Sequence, residues 1–264
     1  MPIHDLNKDF IKAFKIAQFF KPEKRGGQKA VHFVEVEGKR YAMKLLLASG
    51  IDDRSKRELN IYEKFKGLDG VPTVFKIETY EGELVVFEEY VEGDTLLDIV
   101  TTYQGNHAKV SGLIKSLCDI MKPIWDGGYI HRDIKPANII IRTDGKPVLL
   151  DFGIARDLLD ASITATGLQP LSWQFGSPEQ YAGRKAQISY RTDYFSLGAM
   201  AYVLYHQALP FGKSKDEIDA KFNSGNEVFV IADTCPLKKF FIESMKFSPA
   251  ERPRLLEDLL KLLP

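Results

Sequence analysis

Apolar and polar positions follow two different rhythms along this chain. From about Phe14 to Phe87 the pattern is mostly that of strands. Ala30–Val36 is rich in apolar and β-branched residues, Gly38 marks a tight turn, and Arg40–Leu47 reads as the next strand. Asp52–Lys66 interrupts them. Leu59, Tyr62 and Phe65 recur there at helical spacing, with Ile61 beside them, and Gly67 ends the helix. Leu84–Val86 reads as strand again. After Glu92-Gly93 the character changes. Lys109–Trp125 has the period of a long helix, and the short apolar strands Ile139–Ile141 and Val148–Leu150 are joined by a Thr-Asp-Gly turn. Past Asp151 runs a Ser/Thr-rich stretch with no period, followed by helical segments at Asp193–Tyr205, Pro236–Met245 and Arg254–Leu263. The pattern predicts a small strand-rich lobe with one helix, a connector near Glu89–Gly93, and a larger helical lobe. Ligand pockets form readily between two such units.

Composition narrows the function classes. The 264 residues suffice for one large domain or two small lobes with a real core. Lys+Arg and Asp+Glu both number 36, so the net charge is zero and gives no ground for a nucleic-acid or anionic-membrane partner. Cys118 and Cys235 fit neither a disulfide framework nor a metal-ligand spacing. Buried free thiols in a reducing cytoplasm are the expectation. The first residues, MPIHDLNKDFIKAFK, are charged throughout and lack the apolar core of a signal peptide. No apolar run is long enough to span a membrane. The expectation is a soluble, cytoplasmic protein.

The candidate chemistry is concentrated in His131-Arg132-Asp133-Ile134-Lys135-Pro136-Ala137-Asn138 and in Asp151-Phe152-Gly153. Phosphoryl transfer needs a carboxylate near the attacking hydroxyl and metal ligands that neutralise charge on the phosphate oxygens. Asp133 and Asn138 share the loop between the long helix and a strand. A tight hairpin of two strands would bring Asn138 and Asp151 together at one end, as hard oxygen ligands for Mg²⁺.

This run resembles the catalytic and metal-binding loops of eukaryotic-type (Hanks-type) Ser/Thr protein kinases. The resemblance implies an α+β fold of two lobes, the bilobal protein-kinase fold. A small antiparallel sheet lobe with one helix spans about 14–91, and a larger, mostly helical lobe spans about 92–264. It also implies that Asp133 orients or deprotonates the substrate hydroxyl, that Lys135 steadies the γ-phosphate and favours Ser/Thr over Tyr acceptors, and that Asn138 and Asp151 hold magnesium, with manganese as an alternative ion. His131 is expected to be structural. Tyr41-Ala42-Met43-Lys44 is similar to the family's Val-Ala-Ile-Lys. Lys44 would then meet the α/β-phosphates, paired with Glu58 fourteen residues on, with Glu63 as the alternative partner. Ser177-Pro178-Glu179 resembles Ala-Pro-Glu, and Glu251-Arg252-Pro253 the late segment whose arginine bonds that glutamate. Ser172 takes the place of a threonine lying near the catalytic Asp. The likeness runs roughly from Phe14 to Leu263, so the expectation is a chain without a sensor, adaptor or membrane anchor. It is implied to be a bacterial stand-alone member acting on ATP and an unidentified protein substrate.

Two places depart from the family pattern. The glycine-rich loop reads Lys24-Arg25-Gly26-Gly27-Gln28-Lys29-Ala30-Val31, with only Gly26 in its usual place. Gly26 and Gly27 can still offer backbone amides to a phosphate, and Lys29 either touches phosphate or is a solvated turn residue. If Glu89-Tyr90-Val91 is the hinge, with Glu89 and Val91 holding adenine, Glu88 stands at the back of the nucleotide pocket, where small or apolar residues are usual. A buried carboxylate there needs a partner or a raised pKa. Either it pairs with Lys44 or the register shifts by one and Phe87 takes that place. A non-catalytic pseudokinase scaffold and a small-molecule phosphotransferase of the same fold are the competing readings. Thr166 or Thr164, ahead of Ser162, is expected to accept phosphate from the enzyme itself, with Arg132, Arg156 and Arg54 or Arg57 as receiving cations, the alternative being that these hydroxyls only solvate the loop.

Overall fold

A computed structural model of the chain describes residues 6–25, 29–46, 64–152, 173–227 and 230–264. The described residues divide into two compact units, one up to Glu92 and the other from Gly93 onward.

The first unit opens with a short helix, α1 (Lys8–Ala13), whose first turn is closed by Asn7 Oδ1 accepting from Phe10 N at 2.8 Å. Five strands follow: β1 (Ile16–Arg25), β2 (Lys29–Val36), β3 (Lys39–Leu46), β4 (Val74–Tyr80) and β5 (Glu83–Glu89). They form one antiparallel sheet in the order β1-β2-β3-β5-β4. The two tight hairpins turn at Glu37-Gly38 and Glu81-Gly82, all four residues at positive φ, the backbone that matches the right-handed strand twist.

Strand alternation assigns the faces. Met43 and Leu45 of β3 join Val85 and Phe87 of β5, with Phe10, Phe14, Ile16, Ala30 and Val34, in one buried cluster. The aromatic rings carry much of it: Phe14 lies 4.5 Å from Phe10 and 5.6 Å from Phe87, centroid to centroid. Ala42, Lys44, Val86 and Glu88 therefore share the opposite face, since Ala42 pairs with Glu88 and Lys44 with Val86. Phe87 belongs to the core, so the register with Glu88 on the side of Lys44 is the one adopted.

The second unit is built on two helices. In α2 (His107–Asp126), capped by Asn106, Val110, Leu113, Ile114, Leu117, Met121 and Ile124 lie on the inward stripe. Helix α4 (Tyr190–His206) is buried nearly all round, from Thr192 to Tyr202, and is the centre of this unit. Gly198 permits its close approach to a third helix: a Cβ there would fall 2.2 Å from Ser244 Oγ and 2.8 Å from Met245 Cγ. The smaller helices are α3 (Pro178–Tyr181), α5 (Lys215–Asn223), α6 (Lys238–Ser244) and α7 (Leu256–Leu260). Strands β6 (Asp94–Thr95), β7 (Ile139–Ile141) and β8 (Pro147–Leu149) make a small antiparallel sheet. Cys118 and Cys235 are both buried and free. Among the described residues, no helix is long and apolar enough to cross a membrane.

Candidate active site

The loop after α2 is ordered by one carboxylate. Asp193, fully buried at the start of α4, accepts from Trp125 Nε1 at 2.8 Å, His131 N at 2.9 Å and Arg132 N at 2.8 Å. Burial raises its pKa, against the pull of these N–H donors. Arg132 sits at φ 67°, a left-handed backbone that costs a non-glycine residue about 1–2 kcal/mol. Its N–H is bonded to Asp193, and its carbonyl accepts from Gln180 Nε2 at 2.9 Å. The strained residue is thus clamped on both sides.

His131 links this loop to the strand ahead of Asp151. Asp133 N–H donates to its Nδ1 at 3.2 Å, so Nε2 carries the proton and donates to Leu150 O at 2.9 Å. Burial lowers the His131 pKa and keeps the ring neutral, as these two bonds require. Its ring also meets Phe152 edge-on at 4.9 Å. The expectation that His131 is structural agrees with this geometry.

Asp133, Lys135 and Asn138 converge. Lys135 Nζ lies 2.9 Å from Asp133 Oδ2, and Asn138 Nδ2 donates to the same oxygen at 3.0 Å and to Asp133 O at 2.9 Å. Among the described residues, the Lys135 and Asn138 side chains thus both meet Asp133 at Oδ2. A single 3₁₀ turn, Pro136–Asn138, carries the chain into β7, and Leu150 N donates to Asn138 O at 2.8 Å. The β7–β8 hairpin therefore ends with Asn138 opposite Leu150, one residue from Asp151, as the short turn predicts. Asp151 is at φ 61°, a second left-handed non-glycine residue.

In the first unit Lys44 Nζ meets Glu88 Oε2 at 2.5 Å, both side chains buried. At the end of β5, Glu89 N donates to Thr73 O at 2.8 Å, and Val91 is buried. Glu58 and Glu63 lie outside the described residues. So do Gly26, Gly27, the Lys29 side chain, Ser172, the Ser162–Thr166 segment, and Arg54, Arg57 and Arg156. Among the described residues no three His, Cys, Asp or Glu side chains gather as a metal site.

Below the loop, Arg252 makes the pair that the late segment predicted. Its Nη1 and Nη2 reach Glu179 Oε1 and Oε2 at 2.7 and 2.8 Å, and Thr192 Oγ1 donates to Oε1 at 2.8 Å. The remaining guanidinium donors reach the carbonyls of Lys246, Arg191 and Phe247.

The sequence from residue 27 to 264 matches the protein kinase domain family. The chain belongs to that family. It is 31% identical over 225 residues to the serine/threonine-protein kinase PknA of Nostoc sp., covering 81% of this chain and 38% of that protein. It is 29% identical over 188 residues to serine/threonine-protein kinase D of Synechocystis sp., covering 69% and 36%. With the serine/threonine-protein kinase PknB of Mycolicibacterium smegmatis it shares 39% over 139 residues, 51% of this chain and 22% of that protein. The chain therefore spans well under half the length of these kinases.

Kinase membership agrees with the bacterial Hanks-type reading and with the sheet-plus-helices architecture. The sequence alone gave Asp193 no special role. An acidic residue opening an otherwise apolar helix was the available signal, and its partners lie about sixty residues away.

Proposed function

We propose that the protein transfers the γ-phosphoryl group of ATP to Ser or Thr hydroxyls of a protein substrate, itself included, as a single catalytic domain working in the cytoplasm. The observation that carries this reading is the cluster on one loop: Asp133 held through Oδ2 by Lys135 and Asn138. In that role Asp133 accepts the hydroxyl's hydrogen bond and aligns its oxygen for in-line attack, and Lys135 places a cation beside the transferring phosphoryl. Asn138 Oδ1 and the Asp151 carboxylate are hard oxygen donors and fit Mg²⁺, with phosphate oxygens and water completing the shell. When bound, the ion neutralises charge on the phosphates. Lys44, steadied by Glu58, takes the α/β-phosphates. Gly26, Gly27 and Lys29 take phosphate from the glycine-rich loop, and Glu89 and Val91 hold adenine through their backbones. The buried, unpaired thiols of Cys118 and Cys235 support a reducing compartment.

The test is transfer of radiolabelled phosphate from ATP to a generic acceptor protein. Asp133→Asn should reduce turnover by about 10²–10⁴-fold while ATP still raises the melting temperature. Near wild-type phosphorylation by that variant would refute the assignment. ATP stabilisation that ignores a chelator would remove magnesium from the reading.

A further inference from the structure

Lys44 has a carboxylate partner within its own sheet. Leu84, Val85, Val86 and Phe87 make β5 a buried apolar strand, and Glu88 continues it at 3% exposure. A carboxyl group in such a place is either protonated or held by a compensating partner. Here the β3–β5 register supplies one: Ala42 stands opposite Glu88, and Lys44 is the next residue along the same face. Lys44 itself is 7% exposed and reaches Glu88 Oε2 at 2.5 Å.

The backbone ladder fixes both ends of this pair. The β3 and β5 strands are paired from Tyr41–Glu89 to Leu46–Leu84 without a bulge. A lysine stem has four rotatable carbons, and its ammonium holds one position only where something anchors it. An anchor on the adjacent strand does not depend on where the 52–66 segment lies.

We propose that Glu88 is a positioning residue for Lys44: a second carboxylate, besides Glu58, that fixes the ammonium from inside the sheet. The inference rests on the reading of Lys44 as the phosphate-binding lysine. Two carboxylates then share one task, and either alone retains part of it. A buried charge at this position also makes the nucleotide-facing side of β5 polar, where the family has small or apolar residues.

The experiment compares steady-state phosphorylation by the wild type, Lys44→Ala, Glu58→Gln, Glu88→Gln and the Glu58→Gln/Glu88→Gln double variant. Lys44→Ala tests the underlying reading, which fails if activity persists. With that control inactive, Glu58→Gln should retain at least a tenth of wild-type kcat/KM because Glu88 still holds the lysine. Glu88→Gln should lose roughly ten-fold, mainly in kcat. The double variant should fall to the level of Lys44→Ala. Collapse of Glu58→Gln alone to that level would overturn the proposal, and this arm stands even if the Glu88 variants do not fold. Wild-type kcat in Glu88→Gln with only a lower melting temperature would also overturn it, since a merely structural pair shifts stability and not turnover.

Discussion

Replacing Arg252 by Met should unfold the helical unit more readily than any surface change. All five guanidinium N–H donors are used: two on Glu179 and one each on Lys246 O, Arg191 O and Phe247 O. The guanidinium also lies 4.9 Å from the centroid of the Phe195 ring. Arg252 is 2% exposed and Glu179 1%. Burial would raise the Glu179 carboxyl, but the hydrogen bonds and charge of Arg252 outweigh it and hold the pKa below the usual value. Methionine fills similar volume and leaves that carboxylate buried with Thr192 as its remaining side-chain donor. Breaking one partner of such a pair costs about 3–5 kcal/mol. For a protein of this size that lowers the melting temperature by roughly 6–20 °C. Trp125 and Trp173 both belong to this unit, so tryptophan fluorescence during thermal or urea unfolding reads it directly. Arg252→Met within about 1 kcal/mol of the wild type would refute the claim that this pair is held by charge. The pair also has a pH signature: with the folded pKa of Glu179 depressed, its contribution is present above the unfolded value of 4.5 and lost as pH falls through the folded one.

His131 should add a second acid-sensitive step: burial holds its folded pKa below the ordinary histidine value of 6.5, so stability is full above that pH and declines below it. The decline should be absent in His131→Asn, and equal melting temperature–pH slopes from pH 7 to 5 in both proteins would contradict it. Gly198→Ala should destabilise by about 1–3 kcal/mol through overpacking against Ser244 and Met245, partly recovered by Ser244→Ala; urea midpoints equal to wild type would show that α4 and α6 can separate freely. Arg132→Gly should be more stable than Arg132→Ala by about 1 kcal/mol, because φ 67° strains only the residue with a Cβ. The reverse order in urea unfolding would mean that the loop relaxes out of the left-handed region.

The elements that the sequence revealed are those whose environment is simple. Strands β2, β3 and β5 are central in the sheet, and their apolar runs are unmistakable. The edge strands were harder. Most of β1 is exposed and contains Pro22, with shifts in its register against β2, while β4 is half-exposed throughout. An edge strand needs no alternating buried face and tolerates proline, so pattern reading passes over it. Helix α5 buries only Ile218, and α1 has six residues, so neither supplies a period. The start of α4 at Tyr190 was legible only as far as Asp193, because Tyr190-Arg191-Thr192 looks like loop until Ser189 is seen capping it.

The site divides along a different line. Asp133, Lys135, Asn138 and Asp151 were legible as candidates because the reaction their motif suggests, phosphoryl transfer, calls for those groups at short spacings, and a short hairpin can bring them together. What holds them was not. Asp193 bonds the backbone at His131 and Arg132, His131 carries that order to Leu150, and Gln180 closes the other side of Arg132. These partners come from three elements far apart in sequence, and no local pattern records them. Two left-handed non-glycine residues, Arg132 and Asp151, mark where the loops are forced. Hydrogen bonds to a charged group contribute about 1.5–3 kcal/mol each, so the two from Asp193 to this backbone exceed the cost of one strained residue. The candidate residues lie close together in sequence and the contacts that hold their loop do not, which is why motif reading finds the candidates and misses the carboxylate that orders their loop.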